Sequence, residues 1–127
     1  MFRRTDPITE RLRRLDLPRS AADRLVRQGT LVRIPSGKAI CTKGQRGREA
    51  FLIVDGTANV LTDDGVVTAG PGDVVGELAT LDWGRTRNAT VVADGDVDVL
   101  VYDARAFLVL AEDPELRPRL VPDRLSA

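Results

Sequence analysis

The chain has 127 residues, with 19 acidic and 19 basic side chains and a formal net charge of zero. That length suits one domain, and a neutral chain has no global field to draw in nucleic acid or anionic lipid, so any anion it binds must be held by a local site. It has no histidine and one cysteine, Cys41, which excludes an intrachain disulfide, a thiolate metal site, histidine triads and histidine-ligated metals. No loop carries the carboxylate spacing of a Ca²⁺ or Mg²⁺ site, so no metal and no resident cofactor are expected.

The first residues, Met1-Phe2-Arg3-Arg4-Thr5-Asp6-Pro7, have no apolar stretch behind the arginines and do not read as a signal peptide. No apolar run approaches membrane-spanning length. A cytoplasmic protein without a membrane partner is expected.

In chain order, a helical lead comes first. Asp6 can cap a helix with Pro7 at its first position, and Ile8, Leu12 and Leu15 share one face. A second helix is predicted to start at Ser20, with Asp23 three residues on, and to stop at Gly29. Arg3, Arg4, Arg11, Arg13 and Arg14 gather in this lead; they read as a solvated face rather than a phosphate patch.

From Thr30 the apolar runs become short and β-branched, with glycine or proline between them. Strands are predicted over 31–34 and 39–42, separated by the turn Pro35-Ser36-Gly37-Lys38. The run at 49–54 is apolar enough to be buried on both faces, and Asp55-Gly56 is read as a turn after it. Ala58 and Val60 alternate along the next strand, which Asp63-Asp64-Gly65 turns into 66–68, followed by Gly70-Pro71-Gly72-Asp73. Later come strands at 89–93 and 97–102, with Asp94-Gly95-Asp96 as the turn between them and Val97, Val99 and Val101 on one face. Many short strands at regular spacing argue for a sandwich or barrel. Asp103 can cap a helix through Phe107 and Leu110, after which Pro114, Pro118 and Pro122 recur. An interior helix proline costs about 3 kcal/mol, so the tail at 113–127 is read as a short helical turn and a frayed end. The whole chain, 1–127, is one domain on this reading: lead 7–29, barrel 30–102, C-terminal helix and tail 103–127.

The informative segment is Val75-Gly76-Glu77-Leu78-Ala79, followed by Arg85-Thr86-Arg87-Asn88-Ala89-Thr90. A helical turn starting after Gly76 presents free backbone N–H groups, a ready anion site. Arg87 can offer a bidentate fork to two phosphate oxygens. Glu77, in such a cradle, would repel phosphate but is a strong acceptor for sugar hydroxyls. One acid for a sugar and one guanidinium for a phosphate describe a nucleotide pocket. A structural Glu77–Arg87 salt bridge is the bland alternative. Trp83 lies between them and reads either as a cover for a base or as a packed surface aromatic, and Arg85 as exposed.

Over roughly residues 9–112 the chain resembles a cyclic nucleotide-binding domain, the sensor module of catabolite activator proteins, protein kinase A regulatory subunits and cyclic nucleotide-gated channels. The residues that carry the resemblance are Gly76-Glu77-Leu78-Ala79, then seven residues, then Arg87-Asn88-Ala89-Thr90, the longer form of the family's phosphate-binding cassette. Supporting matches are Pro35-Ser36-Gly37, Gly44, Gly47, the run 51–56 and Pro71-Gly72-Asp73. The resemblance implies a mainly β fold, a double-stranded β-helix (jelly-roll-like) barrel flanked by short N- and C-terminal helices. It implies no catalysis, and a cyclic nucleotide as ligand, cAMP first and cGMP as the alternative. The implied ligand-binding residues are Gly76, Glu77, Leu78, Ala79, Arg87, Asn88, Ala89 and Thr90. Arg87 would take the cyclic phosphate, Glu77 the ribose 2′-OH, and the N–H groups of Gly76, Leu78 and Ala89 the rest of the cradle. Asn88 stands where cAMP-preferring kinase domains commonly carry alanine and where threonine or serine is linked to cGMP.

The resemblance also implies a C-terminal helix that closes over the base, and here prolines interrupt it. Leu116, Leu120, Val121 and Leu125 are the candidates to cap the base from an irregular segment. Few residues remain after Asp113 for a helix-turn-helix, so direct DNA binding is not expected, and output is expected through a protein partner or an effector domain elsewhere. The alternative is a ligand-independent protein-interaction module that keeps the barrel.

Overall fold

The computed structural model describes residues 7–77 and 86–121. Two helices lead, α1 (Pro7–Arg13) and α2 (Arg19–Gln28). Six strands follow among the described residues: β1 (Thr30–Ile34), β2 (Ala39–Cys41), β3 (Glu49–Thr62), β4 (Gly65–Ala69), β5 (Val74–Val75) and β6 (Thr90–Asp103). The chain then enters α3 (Ala104–Ala111) and the single turn α4 (Arg117–Leu120). All strand pairs are antiparallel, in the order β1-β6-β3-β4, with β2 also on β6 and β5 also on β3. The mainly β, jelly-roll-like architecture with flanking helices is the one the resemblance implies, although the sheet among the described residues is not closed.

The two long strands organise everything. β3 and β6 are 14 residues each and pair along their length. Successive side chains on a strand point to opposite faces, so each serves two apolar clusters. On one side Ala50, Leu52 and Val54 of β3 and Leu100 and Tyr102 of β6 meet Leu12, Ala21, Ala22 and Leu25 from α1 and α2, Phe107 and Leu110 from α3, and Leu116 and Leu120. On the other, Phe51 and Ile53 join Val91, Val97 and Val99, with Cys41, Val60, Ala69, Val75 and Ala89. The run at 50–54 is apolar because it feeds both.

Three sequence expectations are corrected. Asp55-Gly56 and Asp94-Gly95-Asp96 are not hairpin turns between separate strands. They are facing irregularities within β3 and β6, where the register shifts and Asp55 pairs with Asp98 and Thr57 with Asp94. A β-bulge bends a strand without ending it. The second helix starts one residue earlier than expected: Pro18 occupies the cap position with no side-chain cap bond, and Ser20 lies inside the helix. Arg11 is exposed, as expected, and also lies 3.4 Å from Asp55 and 3.5 Å from Asp98 at the bend in β3 and β6. Leu116 and Leu120 do not cap a ligand; both are buried in the helix-side cluster, and Val121 packs against it.

Other local readings hold. The Asp63-Asp64 hairpin closes between Thr62 and Gly65. Asp103 caps α3, its Oδ1 accepting the Ala106 N–H at 2.8 Å. Leu125 and Pro122 lie outside the described residues.

Candidate functional site

β5 is followed by Gly76, which adopts φ +79°. That left-handed conformation favours glycine and lets the chain leave the sheet at an elbow. Glu77 follows in helical conformation and is 2% exposed. On the far side of the cassette, Thr86 bridges to Arg46, the Arg87 N–H donates to the Gln45 carbonyl at 2.8 Å, and the Arg87 carbonyl accepts from the Gly44 N–H at 2.8 Å. The loop between β2 and β3 is therefore laced to the start of β6 by main-chain bonds, and this fixes where the Arg87 side chain begins.

The Arg87 guanidinium is held at its edges by two backbone carbonyls. Nη1 donates to Gly76 O at 2.6 Å and Nη2 to Glu49 O at 2.9 Å. The Phe51 ring lies with its centroid 5.7 Å from Cζ, within cation–π range. An arginine has five N–H donors, so donors remain beyond these two bonds. Nor does any described residue accept from the N–H of Asn88 or Ala89. A cation and adjacent uncommitted main-chain amides form a cradle for an anion.

Glu77 sits close enough for the positive charge of Arg87 to act on it. Burial nevertheless pushes its carboxyl up to about 7, against the lowering effects of its own backbone N–H and of Arg87. Cys41 belongs to the same wall: burial raises its thiol, and Arg87 works in the opposite direction.

Beside the cradle opens a hollow of about 790 Å³. The inner faces of β3, β4 and β5 line it with Val60, Val67 and Val75, Leu15 borders it from the lead, and Pro118 and Arg119 of α4 border it from the C-terminal side. Asn88 and Ala89 lie at its edge, while Arg87 and Glu77 do not themselves line it. The arrangement offers anion-binding groups at one end and mixed apolar and polar walls at the other, as pockets for small organic anions do.

Comparison with known proteins supports the fold. The family model of the cyclic nucleotide-binding domain matches residues 31–113. The chain belongs to the cyclic nucleotide-binding domain family. A cyclic nucleotide-gated potassium channel of Rhizobium etli is 39% identical over 84 residues, 65% of this chain and 23% of the channel. A Pycsar effector protein of Xanthomonas perforans is 33% identical over 92 residues, 72% of this chain and 30% of that protein. The chain thus corresponds to less than a third of the length of these curated relatives. Among solved structures, one described as Sp-2Cl-cAMPS bound to PKAR CBD2 superposes with a TM-score of 0.71 at 25% identity, over 90% of this chain and 79% of the other. The catabolite activator protein of Thermus thermophilus gives 0.67 at 25% identity, over 82% and 50%. The family is one of sensor and regulatory domains rather than catalytic ones.

In this cyclic nucleotide-binding domain the structure brings together Gly76, Glu77, Arg87, Asn88 and Ala89 from two stretches ten residues apart. Leu78 and Ala79, like Trp83 and Arg85, lie outside the described residues. Thr90 is placed at the start of β6, its hydroxyl accepting the Lys43 N–H at 3.0 Å, which gives it a structural task. Three participants were not assigned roles from the sequence. Glu49 contributes a carbonyl to the guanidinium, Phe51 a ring, and Arg119 a flank of the hollow. Glu49 acts through its backbone, which no side-chain pattern encodes. Among the described residues no cluster of metal-ligating side chains exists, and no helix is long and apolar enough to cross a membrane.

Proposed function

We propose that this domain is a receptor for a 3′,5′-cyclic nucleotide, cAMP before cGMP, and that it passes occupancy on to a protein partner or a linked effector domain. The observation that carries the reading is the Arg87 guanidinium, preset by the Gly76 and Glu49 carbonyls beside the Asn88 and Ala89 amides at the edge of the hollow. The cyclic phosphate would sit on these donors, with the N–H groups of Gly76 and Leu78 completing the cradle, the ribose toward Glu77 and the purine in the hollow. Asn88, at the edge of that hollow, offers an amide that can donate or accept. A solved structure described as cAMP bound PfPKA-R (141-441), at 27% identity and a TM-score of 0.69, supports the choice of cAMP. Fusion of related domains to channels and effectors supports an output carried by another domain.

The test is calorimetric titration with cAMP, cGMP and AMP, together with melting temperatures. A ligand at 100 times its Kd adds about 2.7 kcal/mol of stability, so cyclic nucleotides are expected to raise the melting temperature and AMP is not. Arg87→Lys keeps the charge but loses the planar fork, and affinity is expected to fall about 100-fold, the equivalent of one charge-assisted bond. Unchanged affinity in that variant would overturn the phosphate assignment. Absence of binding by every nucleotide would favour the ligand-independent interaction module.

A further inference from the structure

Gly47 is a family match in the sequence without an evident task, since its φ lies outside the left-handed region that glycine is usually kept for. Its surroundings supply one. A Cβ built on Gly47 would overlap the Nη2, Cζ and Nε atoms of Arg87. The backbone at 47 cannot easily retreat to make room. The Gln45 N–H donates to Thr42 O at 3.1 Å, the Gly44 and Gln45 backbones bond to Arg87, and Arg46 bridges to Thr86. The group that must yield is therefore the guanidinium, the far end of a flexible side chain.

We infer that Gly47 is a positioning residue of the ligand site: the absence of a side chain there leaves the space in which the Arg87 guanidinium is seated against the Gly76 and Glu49 carbonyls. This rests on the receptor reading above. Gly76 borders the same guanidinium, since a Cβ there would come within 2.6 Å of Nη1 and 3.1 Å of Glu49 O. At φ +79°, however, a side chain at Gly76 is also strained by the backbone itself. Gly47 carries the crowding without that strain, so it is the position at which ligand geometry separates from folding.

The experiment is a double-mutant cycle of Gly47→Ala and Arg87→Ala, read by cAMP and cGMP affinity and by the melting temperature without ligand. Gly47→Ala is expected to weaken cyclic nucleotide binding about 100-fold, the scale of a misplaced charge-assisted bond. Its melting temperature should fall no further than that of Arg87→Ala, because the same carbonyl bonds are lost. In the Arg87→Ala background, where the space is vacant, adding Gly47→Ala should change neither quantity. Parental affinity in Gly47→Ala, or an equal cost of that change in both backgrounds, would overturn the inference. If the parent binds neither nucleotide, the receptor reading fails and takes the ligand half of this inference with it. The melting-temperature half of the cycle still decides whether Gly47 and Arg87 compete for one space.

Discussion

The two faces of the β3–β6 pair are built from the same strands and hold different things. The helix-side cluster is sealed with aliphatic and aromatic groups, and the Tyr102 hydroxyl within it donates to Leu25 O at 2.6 Å. The barrel-side cluster is smaller in its residues, mostly valine and alanine, and it borders the buried Glu77 carboxyl and the Arg87 guanidinium. One face is closed by apolar packing, and the other keeps ionisable groups against it, Glu77 buried and Arg87 half-buried. Burying an ionisable group such as Glu77 is costly.

The largest effect expected from this contrast is at Phe107, which is fully buried between the sheet and the helices. Phe107→Ala should cost about 3–5 kcal/mol in denaturant unfolding, with the affinity of the folded fraction for cyclic nucleotide unchanged. A parallel loss of intrinsic affinity would break the division of labour between the two faces.

The next effect is in the pH dependence, and it belongs to the barrel side. Glu77 is raised from 4.5 to about 7 in the folded chain, so the native state holds a proton that the unfolded state has released. Stability from this group is full below about 4.5 and is lost as pH rises through about 7. At about 1.36 kcal/mol per unit, the loss approaches about 3 kcal/mol over that window. Glu77→Gln keeps the shape and removes the titration. The difference between parent and variant unfolding free energies, followed from pH 4 to 8, should therefore slope downward. A flat difference would place Glu77 in water and collapse the contrast.

The smallest effect sharpens the comparison from the other side. Burial pushes the Tyr102 hydroxyl well above its usual range, so it stays neutral. Tyr102→Phe removes one neutral hydrogen bond, and should cost about 1 kcal/mol by the same unfolding measurement. That cost should be the same at pH 5 and pH 8. A pH-dependent cost would mean that charge has entered the helix-side cluster.

Features whose causes are local were legible before the fold was known. The Asp63-Asp64-Gly65 hairpin and the Asp103 cap are closed by hydrogen bonds within a few residues, so the residues that cause them also sit there. The cassette was legible for a different reason: Gly76, Glu77, Arg87 and Ala89 occur at a spacing that a known family shares, and chemistry alone would have left Glu77–Arg87 open to a salt-bridge reading. Asp55-Gly56 misled because its composition is that of a turn, while its actual partner is Asp98, 43 residues away. Leu116 and Leu120 misled because an apolar pair near a predicted pocket has two places to go, and burial against Leu25 and Phe107 removes more of it from water.

Composition and order along the chain were enough to specify a histidine-free, mainly β domain with a helical lead. Periodicity and turn chemistry are written in neighbouring residues, and an arginine carries its charge wherever it goes. Which space that arginine occupies was decided only in three dimensions. Its seat is made of the Glu49 carbonyl, the Gly76 carbonyl and the empty side of Gly47, and main-chain atoms and missing side chains have no signature until distant segments are laid against one another.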